Sequence, residues 1–254
     1  MIIDMNFLKA LVLDAGKIGM SYFGKVRIRI KNDRTPVTEA DLSIDRFLTE
    51  KIREKYPAHL ILSEERDNIK KKGKEPVVWA IDPIDGTAAF ASGLPVWGIS
   101  IGIFVKDLPI FGAVYLPVTD ELYYSDGEKS YLGDREIKAG DFEIDRNSFL
   151  AVPSDTHRSL DLRGFIGKTR SMGSIAAHLC YVAKGVSIGA VMKPSIWDIA
   201  GGCAIMHSAG VHMSCLDGNE IEWRDLYSCE KSKKWYIAAR KDKIDVLRDI
   251  IKVF

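Results

Sequence analysis

The apolar run at residues 77–81 constrains the fold more than any other feature, because it leads directly into residues 82–87, with the sequence DPIDGT. An apolar run of this length without polar alternation indicates a buried strand. Charged residues at the exposed ends of such strands are where the active sites of layered α/β proteins tend to lie. The sequence therefore predicts a buried strand that ends in a functional loop.

The chemistry of this loop suits both a metal ion and a phosphate group. The carboxylates of Asp82 and Asp85 can face one point, and the carbonyl of Ile84 can supply a third oxygen ligand. Gly86 lets the backbone pass close to a ligand. A short helix that begins at Thr87 would offer free N–H groups to phosphate oxygens. The alternative is a surface turn, because Asp, Pro and Gly are common turn formers.

Further acids lie at the ends of other apolar segments. Glu64 and Glu65 follow a short apolar run, Asp198 is predicted to cap a helix that ends at Gly210, and Asp41 lies in the first turns of a helix. Taken singly, each acid could be a solvated edge residue or a helix cap. If all of them converge, their mutual repulsion would be severe without cations.

The type of ligand indicates the type of metal. An all-oxygen site suits Mg²⁺, Mn²⁺ or Ca²⁺, whereas Zn²⁺ would favour His or Cys. None of the five histidines is paired with another at helical spacing, so we interpret them as core or surface residues. Several Mg²⁺ ions around a phosphate activate a water and stabilise the leaving oxygen. The residues therefore predict Mg²⁺-dependent hydrolysis of a phosphate monoester.

Periodicity predicts helices in the first half that pack on an antiparallel sheet, and alternating strands and helices in the second half. Predicted helices lie at residues 4–23, at 174–184, at 198–210, at 242–253 and after Thr38, which forms a capping box with Asp41. Predicted strands lie at residues 26–30, 60–62, 77–81, 96–105, 110–116, 121–125, 149–152, 186–192 and 235–239. The charged stretch at 68–75 is predicted to be a solvated loop. We place a subdomain boundary in the polar stretch 141–147, which gives an N-terminal α+β subdomain (1–145) and a C-terminal α/β subdomain (146–254).

Charge and composition exclude several classes of protein. A formal net charge of +1 leaves no basic excess to bind nucleic acid, and no apolar run approaches the roughly 20 residues that span a bilayer. The four cysteines form no CxxC pair, which predicts reduced, structural thiols. We therefore expect a cytoplasmic protein without nucleic-acid or membrane partners.

Four segments, taken in order, match a known family. They are residues 36–41 (PVTEAD), 62–65 (LSEE), 79–87 (WAIDPIDGT) and 197–202 (WDIAGG). On these motifs the chain resembles the inositol monophosphatase family, which belongs to the lithium-sensitive phosphatase superfamily with fructose-1,6-bisphosphatase. The resemblance implies a layered α/β/α/β/α sandwich of the α/β (α+β) class, a homodimer and inhibition by lithium.

The resemblance also implies a role for each matching residue around two or three Mg²⁺ ions, with Mn²⁺ able to substitute. Asp41 and Thr87 would orient and activate the attacking water, and Glu65 would support them. Lys31 would lie in a mobile loop that closes over the site. The implied metal ligands are Glu64, Asp82, the Ile84 carbonyl, Asp85 and Asp198.

The resemblance implies substrate contacts at two loops. The amides of Gly86 and Thr87, beside Asp85, would hold the phosphate, and Gly173 and Ser174 would contact substrate hydroxyls. The sequence departs from the family where Ala88 and Ala89 replace polar residues. It also departs where inositol-specific members carry a substrate-binding glutamate. The nearest residues there are Val191 and Lys193, and neither accepts a hydroxyl hydrogen bond as a carboxylate does.

These departures leave the substrate open. The candidates are inositol 1-phosphate or a related sugar or polyol phosphate, fructose 1,6-bisphosphate, adenosine 3′,5′-bisphosphate and histidinol phosphate. Lys193 could attract a second phosphate, or it could be an exposed strand-end lysine. A non-catalytic binding protein is the alternative from another class. Loss of a metal ligand or of Thr87 would favour it, and the sequence retains all of these residues.

Overall fold

The computed structural model of the protein describes residues 3–31, 36–66, 77–141, 143–226 and 231–254. The stretch 68–75, predicted to be a loop, lies outside these ranges, as does Cys229. Within them, no helix combines the length and the apolar character needed to cross a membrane. Cys180, Cys203 and Cys215 are buried free thiols, as the sequence predicts.

The helices begin where side chains cap them. Asp4 caps the first helix by accepting a hydrogen bond from the backbone N–H of Phe7 at 3.1 Å, and Thr38 caps the second in a capping box with Asp41. The capping box of Thr38 and Asp41 was predicted. In the described ranges the helices are α1 (Met5–Tyr22), α2 (Glu39–Lys55), α3 (Thr87–Ala91), α4 (Ile175–Ala183), α5 (Ile196–Ser208), α6 (Trp223–Leu226) and α7 (Lys241–Ile250).

The strands form two main sheets. In the described ranges they are β1 (Arg29–Ile30), β2 (Pro36–Val37), β3 (Leu60–Ser63), β4 (Val77–Asp85), β5 (Gly98–Val105), β6 (Leu108–Leu116), β7 (Glu121–Ser125), β8 (Ser130–Leu132), β9 (Arg135–Ile137), β10 (Phe149–Ala151), β11 (Leu160–Asp161), β12 (Lys168–Arg170), β13 (Gly189–Met192), β14 (Val211–Cys215), β15 (Tyr236–Arg240) and β16 (Lys252–Val253). The larger sheet has the order β3-β4-β5-β6-β7-β8-β9, and the smaller has the order β12-β10-β13-β15-β14. The larger sheet is antiparallel except for the parallel pair β3–β4.

Three apolar clusters pack the helices and the two main sheets into five layers. One apolar cluster joins α1 and α2 to one face of the larger sheet, where alternate residues of β5 (Ile99, Ile101 and Ile103) are buried. A second cluster joins the opposite face to α4, α5 and the smaller sheet. A third packs α7 on the outer face of the smaller sheet. The layers therefore follow the order α/β/α/β/α, which confirms the predicted architecture. The second cluster takes residues from both sides of the predicted boundary, and the division at residue 145 stays a prediction.

Glycines let α5 lie directly on the larger sheet. A Cβ atom added to Gly102 of β5 would lie 2.3 Å from the carbonyl carbon of Ala200 on α5. A Cβ atom added to Gly112 of β6 would lie 2.6 Å from the carbonyl oxygen of Gly201. These distances are shorter than van der Waals contact, so only glycine fits. The close approach sets the height of Asp198 above the sheet.

Several predicted boundaries were wrong. The 77–81 strand continues to Asp85, because β5 pairs with it that far. The strand predicted from 186 begins at Gly189, because residues 186 and 187 bond back to α4. The terminal helix ends at Ile250, because the chain beyond it pairs with β11. Strands β8 and β9 were not predicted, since three residues are too few for a periodic pattern.

The position of Asp198 within its helix differs from the prediction. Asp198 is not the N-cap of α5: that residue is Ser195, and Asp198 occupies the third helical position of a capping box. Val191, the position nearest the family's substrate glutamate, is fully buried in the cluster under α7. It therefore faces away from the loop at residues 82–87, and its side chain contributes packing.

Candidate active site

A bulge in β4 directs two aspartates toward the same point. Asp82 pairs with Ser100 and Asp85 pairs with Gly98, and the register shifts between these two pairs. In a regular strand, residues three apart point to opposite faces, and one extra residue reverses this relation. Carboxylate oxygens of Asp82, Asp85 and Asp198 consequently lie within 4.8 Å of one another.

Asp85 is held by the first turn of α4. Its Oδ2 accepts hydrogen bonds from the Ser174 hydroxyl and from the backbone N–H of Ala176, the latter at 2.7 Å. Its Oδ1 accepts a longer bond of 3.3 Å from the N–H of Ile175. The Ser174 Oγ also accepts the N–H of Ala177 at 3.0 Å, so it caps α4 while it fixes the carboxylate.

The other two aspartates are oriented by backbone groups near them in sequence. Asp82 Oδ1 accepts the N–H of Ile84 at 3.0 Å, which stabilises the bulge. Asp198 Oδ2 accepts the N–H of Ser195 at 2.8 Å within the capping box. These bonds leave other lone pairs of each carboxylate available, since an ionised carboxylate can accept about four hydrogen bonds or ligands.

Burial makes the charged form of these acids unfavourable in the metal-free protein. Burial, together with the charges of Asp198 and Glu65 and against the opposing effect of Lys31, raises the pKa of Glu64 to about 8. It raises the pKa of Asp198 to about 7 and, despite the bonds from α4, that of Asp85 to about 6. The pKa of Asp82 is well above its usual range, because burial and the neighbouring carboxylates act together.

This donor set fits hard divalent cations. Buried carboxylates that lie this close together repel one another when ionised, and a bound cation removes that repulsion. Carboxylate and carbonyl oxygens are the ligands that Mg²⁺, Mn²⁺ and Ca²⁺ prefer. The cluster found in the described part of the chain consists of aspartates, without His or Cys. The residues present therefore fit the metal that the sequence predicts.

Lys31 places one positive charge against the glutamate pair. Its Nζ lies 2.7 Å from Glu65 Oε1 and 3.3 Å from Glu64 Oε1. Burial acts to lower the pKa of Lys31, but the Glu64 charge and the bond to Glu65 outweigh this effect and raise it. The lysine is therefore protonated at neutral pH.

Asp41 and Thr87 form a buried pair beside the aspartates. Thr87 Oγ1 lies 3.1 Å from Asp41 Oδ1 and 3.1 Å from the Ile84 carbonyl oxygen. The other Asp41 oxygen accepts the Thr38 N–H at 2.8 Å and the Thr38 hydroxyl at 2.5 Å. Burial raises the pKa of Asp41, although these hydrogen bonds act against it. One capping box therefore holds a carboxylate against the Thr87 hydroxyl.

The loop that contains Gly173 lies against the 82–87 segment. Gly86 has φ +98°, and a Cβ there would lie 2.9 Å from the Gly173 carbonyl oxygen. The backbone N–H of Met172 donates to His178 Nε2 at 3.1 Å. Because burial lowers the pKa of His178 to about 4, this imidazole is a neutral acceptor that fixes the loop.

A profile of the inositol monophosphatase family matches residues 4–245. The chain belongs to the inositol monophosphatase family. It is 32% identical over 219 residues to the "Fructose-1,6-bisphosphatase/inositol-1-monophosphatase" of Aquifex aeolicus, and the match covers 80% of this chain and 81% of that one. It is 30% identical to the "Histidinol-phosphatase" of Chlorobaculum parvum, with coverage of 82% and 83%. The solved "Thermotoga maritima IMPase" superposes with a TM-score of 0.84 at 25% identity and covers 97% and 95% of the two chains.

The protein is thus a phosphatase with the metal-dependent core of the inositol monophosphatase family. The structure brings most of the predicted site residues to that core. Asp82, Asp85 and Asp198 form its centre, and Glu64 is near enough for its charge to raise the pKa of Asp82. Ser174 is 1% exposed and bonds to Asp85, so its side chain acts on the carboxylate. The remaining predicted residues at the core are Lys31, Asp41, Glu65, Ile84, Gly86, Thr87 and Gly173.

Lys193, which the sequence suggests as a substrate contact, lies near an aromatic ring. The Nζ of Lys193 lies 6.0 Å from the centre of the Trp235 ring.

The sequence analysis missed two residues that orient groups of the site. His178 was interpreted as a core or surface residue, and nothing in its spacing signals its bond to the loop. Ser195 could have been found, since a serine three residues before Asp198 matches the capping-box pattern.

Proposed function

We propose that the protein hydrolyses inositol 1-phosphate or a related sugar or polyol phosphate with Mg²⁺ as its metal. The observation that supports this most directly is the convergence of three aspartate carboxylates within 4.8 Å beside the Asp41–Thr87 pair. Such a site combines a place for cations with a group that can accept a proton from water.

The proposed metal ligands are carboxylates and one carbonyl on the turn after β3, on β4 and on α5. Two or three Mg²⁺ ions bound there, or Mn²⁺ in their place, would lower the pKa of a water and neutralise the phosphoryl oxygens. Thr87 donates towards the Ile84 carbonyl or towards Asp41, so its hydroxyl can turn between them. The ligands are Glu64, Asp82, the Ile84 carbonyl oxygen, Asp85 and Asp198.

Asp41 and Thr87 are proposed to receive the proton of the attacking water. Thr87 Oγ1 accepts that proton while its own proton passes to Asp41 Oδ1, 3.1 Å away. The water oxygen forms a bond to phosphorus, the ester bond breaks, and the leaving oxygen takes a proton from solvent. The burial that raises the pKa of Asp41 makes this carboxylate a better base than an exposed aspartate.

The phosphate is proposed to bind at the start of α3, with Asp85 beside it. The N–H groups of Gly86 and Thr87 point from a helix N-terminus, where anions are favoured. Gly173 and Ser174 would line the side toward the substrate hydroxyls. Glu65, bonded to Lys31, would support the water-activating pair from the other side.

Phosphate release from a substrate panel tests this proposal. The panel holds inositol 1-phosphate, fructose 1,6-bisphosphate, adenosine 3′,5′-bisphosphate and histidinol phosphate, each with and without Mg²⁺. Mg²⁺-dependent release with the highest kcat/KM for inositol 1-phosphate is the expected result. A higher kcat/KM for a bisphosphate would reassign the substrate, and absence of release with metal bound would contradict catalysis. Absence of metal binding would contradict the site itself.

Lys193 has a test of its own within the same panel. If it attracts a second phosphate, Lys193→Ala lowers kcat/KM for bisphosphates more than for monophosphates. Lys168→Ala, which removes an exposed lysine from β12, is the control. An equal effect of Lys193→Ala on both classes would leave Lys193 as a strand-end lysine.

We also propose, from the family resemblance, a cytoplasmic homodimer that lithium inhibits. Sedimentation at micromolar concentration tests the dimer, and inhibition of phosphate release by LiCl, with KCl as the control, tests the effect of lithium.

A further inference from the structure

We propose that Asp45 is a positioning residue that fixes Glu64 and Glu65 relative to the Asp41–Thr87 pair. Asp45 lies on α2 and is 5% exposed. It is not among the residues that the sequence or the family motifs assign to the site. The proposal rests on the proposed function, because it predicts that Asp45 affects how tightly the Glu64 side of the site binds metal.

The side chain of Asp45 bonds to both sides of the glutamate pair. Its Oδ1 accepts the Ser63 hydroxyl at 2.6 Å, and its Oδ2 accepts Arg66 Nε at 2.8 Å. Ser63 directly precedes Glu64, and Arg66 directly follows Glu65. One buried carboxylate thus holds the turn at residues 63–66 at its two ends.

The backbone bonds described for this turn join it to the sheet or to itself. The N–H of Glu64 donates to the carbonyl oxygen of Ile81 at 3.3 Å, and the N–H of Arg66 donates to that of Ser63 at 3.3 Å. Both bonds join the turn to β4 or to itself. Among the bonds described for this turn, those of Asp45 are the ones that reach α2.

Helix geometry explains why this link matters. Asp41 and Asp45 are four residues apart on α2, so they lie on the same face, one turn above the other. Asp41 contacts Thr87, and Asp45 contacts the ends of the glutamate turn. One turn of one helix therefore sets the distance between the water-activating pair and the Glu64–Glu65 side of the site.

The charge of Asp45 is unfavourable apart from this role. Its negative charge is among the causes that raise the pKa of Glu65. A buried acid costs desolvation free energy that an apolar side chain of similar size would not. What the carboxylate supplies in return is two hydrogen bonds of fixed direction, which an apolar residue lacks.

Metal binding to the substrate-free protein tests the proposal. Mg²⁺ affinity is measured by titration calorimetry for the wild type and for Asp45→Asn, which keeps the shape of the side chain but removes the negative charge that strengthens its bond to Arg66. Groups that orient metal ligands typically contribute about 10- to 100-fold in affinity, and we expect a loss in this range. The control is Thr49→Val, one turn further along α2, where a fully buried hydroxyl has no hydrogen-bond partner within the described residues.

The outcomes separate the proposal from its premise. Weaker Mg²⁺ binding by Asp45→Asn, with Thr49→Val like the wild type, supports the positioning role. Asp45→Asn with wild-type affinity but a lower unfolding temperature would mean that Asp45 only stabilises the fold. Absence of Mg²⁺ binding by the wild type would instead remove the proposed function.

Two further variants keep the proposal testable if Asp45→Asn does not fold. Ser63→Ala and Arg66→Lys each remove one of the two bonds, since lysine has no donor at the Nε position. Each is expected to weaken Mg²⁺ binding by less than the loss of both bonds. Wild-type affinity in both variants would overturn the proposal.

Discussion

Gly102→Ala tests whether the contact between α5 and the larger sheet sets the metal site. The added Cβ would lie 2.3 Å from the carbonyl carbon of Ala200, where ordinary contact begins at 3.4 Å. The shortfall, 3.4 minus 2.3, is about 1 Å. The neighbour is backbone, which has no rotamer to change, so α5 must retreat from the sheet and carry Asp198 with it. Overpacking of this kind costs about 1–3 kcal/mol, and we expect the upper end.

Two measurements separate the stability effect from the effect on the site. A loss of about 3 kcal/mol lowers the unfolding temperature by about 10 °C in a chain of this size, measured with EDTA present. A displacement of about 1 Å can cost about 100-fold in function, so Mg²⁺ affinity and kcat should fall as well. Gly164→Ala is the control, because its Cβ would lie 3.1 Å from a methyl group of Ile250, near the C-terminus. Wild-type stability and Mg²⁺ affinity in Gly102→Ala would refute the reasoning.

Three further predictions concern single side chains of the site. Thr87→Ala should lower kcat by about 10²- to 10⁴-fold with Mg²⁺ affinity retained, since it removes the proton path to Asp41; a wild-type kcat would reject that path. Ser174→Ala should lower the free energy of unfolding by about 2 kcal/mol in urea and weaken Mg²⁺ binding, because one hydroxyl caps α4 and holds Asp85; an unchanged urea midpoint would contradict this. His178 has a folded pKa of about 4 against 6.5 unfolded, so the unfolded state binds more protons between these values and stability is lost as pH falls through them, by about 3 kcal/mol. In His178→Gln, which still accepts the Met172 N–H, urea curves at pH 6.5 and pH 4.5 should differ less than in the wild type, and an equal difference would refute the assignment.

Local features of this fold were readable because they depend on spacings of a few residues. The capping box of Thr38 and Asp41, the start of α4 at Ser174 and the alternation along β5 were all predicted, and each was confirmed. Capping bonds and strand alternation act between residues two to four apart. The chain therefore encodes them without reference to distant segments.

Features that join distant segments were not readable. The bulge in β4 depends on how β5 pairs with it, and a sequence of Asp, Pro and Gly is equally typical of a turn. The bonds of Asp45 reach residues 18 and 21 positions away, and an aspartate on the face of a helix has no pattern that predicts such partners. The burial of Val191 was not readable for the same reason, since which face of β13 lies under α7 is set by packing.

By itself, the sequence determined which acids this protein has, in what order, and that an all-oxygen metal site and a phosphatase of a known family would result. Only the tertiary structure decided that Asp82, Asp85 and Asp198 lie within 4.8 Å, and that Asp85 is held by Ser174, 89 residues away. The physical reason is that side-chain chemistry is a property of each residue. Convergence, in contrast, requires the glycine contacts, the β4 bulge and the buried core to form together.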